Sequence, residues 1–296
     1  MPFLGELCAL LAALCWSGSS LAFSAATVRV GPIRLNVTRL FFAAALLFVT
    51  VVGAGIDIHI SASQLRNLAI SGIIGLVLGD TFLFKCYEII GARLGMLVMS
   101  VAPAISALLA YLLLGEVLSA IAVFGMAVTL FGIALVVLER RETGSHSRQL
   151  LVQGIFYGFL AAAGQGAGLV VAKMAFNEGP LNGFFATFVR IISATIIIWP
   201  LAVMAGKYDN AFAIYRKDRQ ALLLTFLGAF LGPFMGITMS LISVANTTVG
   251  ISATLMSTVP ILMLPLVKFV QKEALTWRAY VGATIAVAGV ALLFLR

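Results

Sequence analysis

Met99-Ser100-Val101-Ala102-Pro103 returns 157 residues later as Met256-Ser257-Thr258-Val259-Pro260. Outward from that stretch, the same shift carries Gly75, Gly79, Glu116, Gly125 and Gly132 onto Gly232, Gly236, Glu273, Gly282 and Gly289. Further upstream, Gly5 and Arg39 find Gly154 and Arg190 at shifts of 149 and 151. The chain is an internal duplication. Both copies are almost wholly apolar, so the repeat is a membrane one, and two similar halves around a central pathway is a common transporter plan.

The 296 residues are 62% hydrophobic and 10% charged, with a mean hydropathy of +1.12, more apolar surface than one water-soluble core hides. Apolar runs of span length fall at roughly 3–24, 35–54, 67–87, 94–114, 118–138, 152–172, 184–205, 220–241, 249–267 and 278–295. These continuous runs predict helices; barrel strands would alternate with a period of two over about ten residues. The expected fold is an all-α integral membrane protein of about ten transmembrane helices. The expected division is a five-helix repeat at 1–138, a link at 139–151 and a second repeat at 152–296. An odd number of spans per half reverses the sense of the second copy, so the repeat is expected to be inverted. The first run has Glu6 and no Lys or Arg in residues 1–6, and is read as a full span, not a cleaved signal.

The net charge of +8 lies in basic residues flanking the apolar runs, so anionic lipid headgroups, not nucleic acid, are the expected partner. Thirteen Lys and Arg fall in one set of links and only Arg66, Lys173 and Arg296 in the other. By the positive-inside rule this puts both termini outside the cytoplasm. Cys8, Cys15 and Cys86 are odd in number and lie in apolar runs, which argues against disulfides and thiolate metal sites. His59 and His146 sit in separate links with no ligand set around them, so no metal and no cofactor are expected.

Trp16-Ser17, Arg39, Gly79-Asp80-Thr81-Phe82 through Ile90-Gly91-Ala92, Ser100-Val101-Ala102-Pro103 and Leu114-Gly115-Glu116 together form an ordered pattern. Arg190, Ser257-Thr258-Val259-Pro260 and Lys272-Glu273 repeat it more loosely. In this the chain resembles the drug/metabolite transporter superfamily, specifically ten-helix permeases with two EamA-type domains. The resemblance implies a metabolite permease, often an exporter, with a substrate cavity between the halves lined by the first, third and fourth helices of each. It also implies both termini in the cytoplasm, the opposite of the charge count. The expected location is a prokaryotic cytoplasmic (inner) membrane. One chain carries both repeats, so a monomer suffices.

Asp80 lies deep in the third run, where an acidic group costs about 2.5 to 3.5 kcal/mol on insertion scales. Two readings compete there. One is a proton- or amine-binding carboxylate facing the cavity; the other is a structural group paired with an arginine. Ile237 holds the equivalent position, so either role belongs to one half. Phe84, Tyr87 and Glu88 share the helical face of Asp80, with Glu88 placed to pair with Lys85. Arg39 and Arg190 open the second spans and are read as interfacial anchors. Trp16, Ser17 and Ser20, with Gln165 matched to Trp16, offer a polar and aromatic patch at mid-span; for the serines helix gluing is the rival reading. Ser100 and Ser257 precede Pro103 and Pro260, where loss of a helix bond predicts kinks and candidate hinges. Glu116 and Glu273 are read as capping the next helix or bonding the link. The glycines are read as close-packing scaffold.

Secondary transport of a small polar or amphipathic metabolite, such as an amino acid, is therefore the leading expectation, driven by protons or by the solute's own gradient. No phosphate-binding loop is present for a nucleotide motor. An intramembrane aspartyl protease is disfavoured because Val77 breaks the G-x-G-D pattern, and a serine enzyme because no His lies within a span. A non-transporting scaffold is the remaining alternative, and the chain is read as not an enzyme.

Overall fold

The structure is a computed structural model describing residues 3–138, 148–209, 211–263 and 277–294. The described residues hold helices and no strands; six of the helices are long and apolar enough to cross a bilayer, and four shorter apolar helices bring the spans to ten. Most of the link expected at 139–151 lies outside the described residues, as do His146 and Glu273.

Helices α1 (Leu4–Val30) and α2 (Pro32–Gly53) meet at Gly31, whose φ of 82° suits glycine and whose successor, Pro32, is preset for the first turn of a helix. The third span begins with α3 (Ala62–Gly72), passes through a π-helical stretch at Ile73–Gly79 and continues into α4 (Asp80–Met99). Gly91, at φ 78°, breaks α4, so its last turns begin the fourth span. A turn at Ser100–Val101 leads into α5 (Ala102–Leu114), and α6 (Ala120–Leu138) completes the first half. The second half runs α7 (Arg148–Asn177), α8 (Gly183–Met204), the short α9 (Ala211–Lys217), α10 (Arg219–Ala229), a π-helical stretch at Phe230–Gly236, α11 (Ile237–Asn246), α12 (Val249–Met256) and α13 (Trp277–Phe294).

The copies agree down to local geometry. The two π stretches are related by the 157-residue shift, as are the helix-capping residues Ser61 and Asp218. In each π stretch the glycine at the third position accepts a wide-turn bond: Asp80 N–H bonds the Gly75 carbonyl, and Ile237 N–H bonds that of Gly232. Gly91 corresponds to Thr248, which precedes α12. The third span thus reaches Gly91, past the expected end at 87, because a helix is held by its backbone and does not stop where hydropathy falls.

The packing exchanges partners between halves. α1 lies against α10, its π stretch and α11, while α7 lies against α3, its π stretch and α4. Meanwhile α2 faces its counterpart α8, α5 faces α12 and α6 faces α13. Reciprocal seating of this kind is what a two-fold relation between inverted repeats produces. Small residues set the separation. A Cβ on Gly164 of α7 would come within 2.9 Å of Gly79 Cα, and one on Gly125 of α6 within 3.1 Å of the Gly289 carbonyl of α13. Large apolar side chains such as Leu112, Phe124, Phe131 and Ile196 lie on the outside, where lipid replaces water as the solvent.

Polar side chains satisfy helix ends, both within a half and across the two. Glu116 accepts a 2.8 Å bond from the N–H of Val249 and so caps α12 of the other half, not the helix that follows it in sequence. Lys173 donates to the Val244 and Thr247 carbonyls at 2.6 and 3.2 Å, satisfying the end of α11. In the exposed link after α2, His59 lies 2.5 Å from Asp57, whose carboxylate raises the imidazole pKa above its ordinary value.

Candidate substrate cavity

A cavity of about 180 Å³ lies between the halves. From the first half it is lined by Trp16, Ser20 and Phe23 on α1, by Leu76, Asp80, Phe84 and Tyr87 on the third span, and by Met96, Met99, Ser100, Pro103 and Ser106 on the fourth. The second half supplies Gln165, Gly166 and Leu169 on α7, Gly232, Pro233, Ile237 and Ser240 on the eighth span, and Met256, Ser257 and Pro260 on the ninth. One side chain from each second span, Arg39 and Arg190, also reaches the wall. First, third and fourth helices of each half thus make the chamber, with an arginine added from each second helix.

Asp80 is the centre of the polar wall. The π stretch delivers it to the first turn of α4, where its carboxylate accepts from Arg39 Nη2 on one oxygen and from Gln165 Nε2, at 2.5 Å, on the other. Arg39 is itself held by Asn36 Oδ1, which accepts from Nε and Nη2 at 3.0 and 2.8 Å. Asn36 in turn donates to the Leu76 carbonyl and to Thr81 Oγ1, both at 3.1 Å. The rings of Phe23 and Phe84 lie 5.2 and 4.7 Å from the guanidinium carbon. Every element of this network comes from the first half except Gln165.

Arg39 and Arg190 are not interfacial anchors. They are 5% and 2% exposed, inside the protein and on the cavity wall. Arg39 stays inside because a carboxylate, an amide and two rings replace its hydration there. Arg190 is different. Its Nε is buried without a hydrogen-bond partner, and Nη2 lies against the bare backbone of Gly75 and Gly168, 3.1 Å from where a Cβ on Gly168 would stand. The glycines read as scaffold therefore also leave the space this guanidinium fills.

Of the residues singled out from the sequence, Trp16, Ser20, Asp80, Phe84, Tyr87, Ser100, Gln165 and Ser257 lie on the cavity wall together with Pro103 and Pro260. Ser17 does not. It is fully buried and donates to the Ala13 and Val259 carbonyls at 2.8 and 3.2 Å, joining α1 to the ninth span. Glu88, on the same helix as Asp80, is turned outward and bonds Lys85 at 2.6 Å. The helix interruptions at Ser100–Val101 and Ser257–Thr258 each sit just before a proline on the wall. Phe23 and Asn36 were not anticipated. Asn36 stands three residues before Arg39, one helical turn away, and that spacing is the signal that marks them as partners.

The fold and chamber define a helical membrane protein of the transporter type, with duplicated halves around a shared cavity. The chain belongs to the EamA-like transporter family, whose model matches residues 3–138 and 152–295. No curated protein matches it. Among solved structures, one crystal structure superposes with a TM-score of 0.74 at 19% identity, over 98% of this chain and 96% of that one, a likeness that shows the fold alone.

Proposed function

We propose that the protein is a secondary transporter that moves a small amphipathic metabolite by alternating access through the cavity between its halves. The observation that carries this reading is the composition of the wall: equivalent spans from both halves surround one chamber that has a polar side at Asp80 and Gln165 and apolar or aromatic surfaces at Trp16, Phe84 and the methionines. Rocking of one half against the other opens such a chamber to each face in turn, and the interruptions before Pro103 and Pro260 are places where the wall helices bend. The two repeats, 1–138 and 152–296, are the units that move. Export of a small metabolite, such as an amino acid or related compound, is what the family resemblance implies.

Proton coupling through Asp80 is a second reading, favoured by its being the one acidic side chain among the described residues that line the chamber. Protonation there would release Arg39, which changes the charge of the wall during the cycle. A facilitator driven by the solute's own gradient needs no such step. Flux of a metabolite panel into vesicles containing the purified protein, with and without an imposed pH gradient, separates these. Asp80→Asn is expected to remove any pH-driven component; unchanged pH-driven flux in that variant rules out coupling at this carboxylate, and absence of flux for every solute rules out transport.

A further inference from the structure

The two halves offer the chamber unequal chemistry. In the first half Arg39 has Asp80 across from it and Asn36 beneath it. At the equivalent places in the second half stand Ile237 and Thr187, and the Thr187 hydroxyl is spent on the Gly183 carbonyl at 2.8 Å in its own helix. Arg190 is thereby left as a buried cation with no carboxylate of its own half, and among the described residues its guanidinium forms no ion pair. Among the described residues the cavity wall carries two guanidinium groups and one carboxylate, a net charge of +1. Asp80 acts on Arg190 through space but is bonded to Arg39, so one carboxylate serves two buried cations; the excess cation is unfavourable, and an anion entering the chamber would relieve it.

We propose that Arg190 is the residue that binds the carboxylate of the substrate, and that the transported class is monoanionic organic acids with an apolar or aromatic remainder. This rests on the transport reading and specifies its substrate. The planar guanidinium suits two parallel bonds to a carboxylate, and Arg190 reaches the chamber wall with its Nε unpartnered. Trp16, Tyr87, Met99 and Met256 supply surface for the remainder. A zwitterion would leave the chamber's excess charge in place, and an amine would add to it.

The test uses the purified full-length protein and a panel of monocarboxylates whose side groups run from methyl to phenyl and indolyl, each paired with its neutral amide and with the amine lacking the carboxyl group. Acids are expected to stabilise the protein against heat and to enter vesicles, with their amides and amines at least tenfold weaker. Arg190→Met should weaken acid binding by tenfold or more, and Arg190→Lys should recover part of it. Ile237→Asp gives the second half its own carboxylate and should weaken acid binding as strongly without removing any donor, so the idea stays testable should Arg190→Met fail to fold. Equal binding of acids and amides, no binding by any acid, or undiminished acid binding by Ile237→Asp overturns the proposal. Flux of amines or amides alone would overturn it while leaving transport standing, whereas absence of flux for all three classes would remove the transport reading itself.

Discussion

Arg39 and Arg190 occupy matching positions in the two repeats, are both nearly inaccessible to solvent and both reach one cavity, yet they live in opposite circumstances. Around Arg39 a carboxylate, an amide oxygen and two aromatic faces stand in for lost hydration. Around Arg190 there is mostly glycine backbone, and one donor has nothing to bond. Duplication supplies two copies of a polar position, and a divergence opposite one of them, Asp80 against Ile237, leaves one arginine ion-paired and the other not. A repeat protein can in this way keep one half for cohesion and leave the other for recognition.

The strongest way to break this contrast is to remove each arginine in turn. Arg39→Met leaves Asp80 without its cationic partner, and loss of one member of a buried pair costs about 3 to 5 kcal/mol. Arg190→Met removes a charge that forms no ion pair among the described residues and should leave stability unchanged or raised. Thermal unfolding in detergent, with no added solute, measures both; equal losses would show that Arg190 is held by contacts equivalent to those of Arg39.

A smaller effect is expected where the halves bond each other. Glu116→Gln replaces a charged cap on the N–H of Val249 with a neutral one and should cost about 1 kcal/mol. Hydrogen exchange should show the loss at the start of α12, in the repeat that does not contain the substitution, and protection unchanged there would sever the proposed link. The smallest effect belongs to a difference between halves that lies at the surface. Lys85 and Glu88 have Ile242 and Ala245 as counterparts, and their pair is exposed. Lys85→Ala should shift stability by less than about 0.5 kcal/mol, since exposed pairs at this spacing contribute little. A larger loss would mean that asymmetry matters outside the chamber as well.

Much of the architecture is readable from residue order because apolar runs of span length admit few solutions in lipid, and repeated Gly and Pro positions mark where two copies must pack or bend alike. Trp16, Asp80 and Gln165 stand out because polar or amphipathic groups in mid-run need a reason to be there. Ser17 carries the same signal and has a local answer, its bonds to two carbonyls. Arg39 and Arg190 were misplaced because depth along a run says nothing about whether a long side chain turns toward headgroups or inward; that depends on what faces it from another helix.

The chain alone determined that this is a duplicated, helical membrane protein and which positions in its two copies correspond, since burial in lipid and backbone hydrogen bonding act on each segment through its own composition. Tertiary structure alone decided which polar residues share a chamber. Asp80 meets Arg39 and Gln165, separated from it by 41 and 85 positions, and Arg190 forms no ion pair among the described residues, because pairing between charges depends on the seating of helices that are distant in sequence.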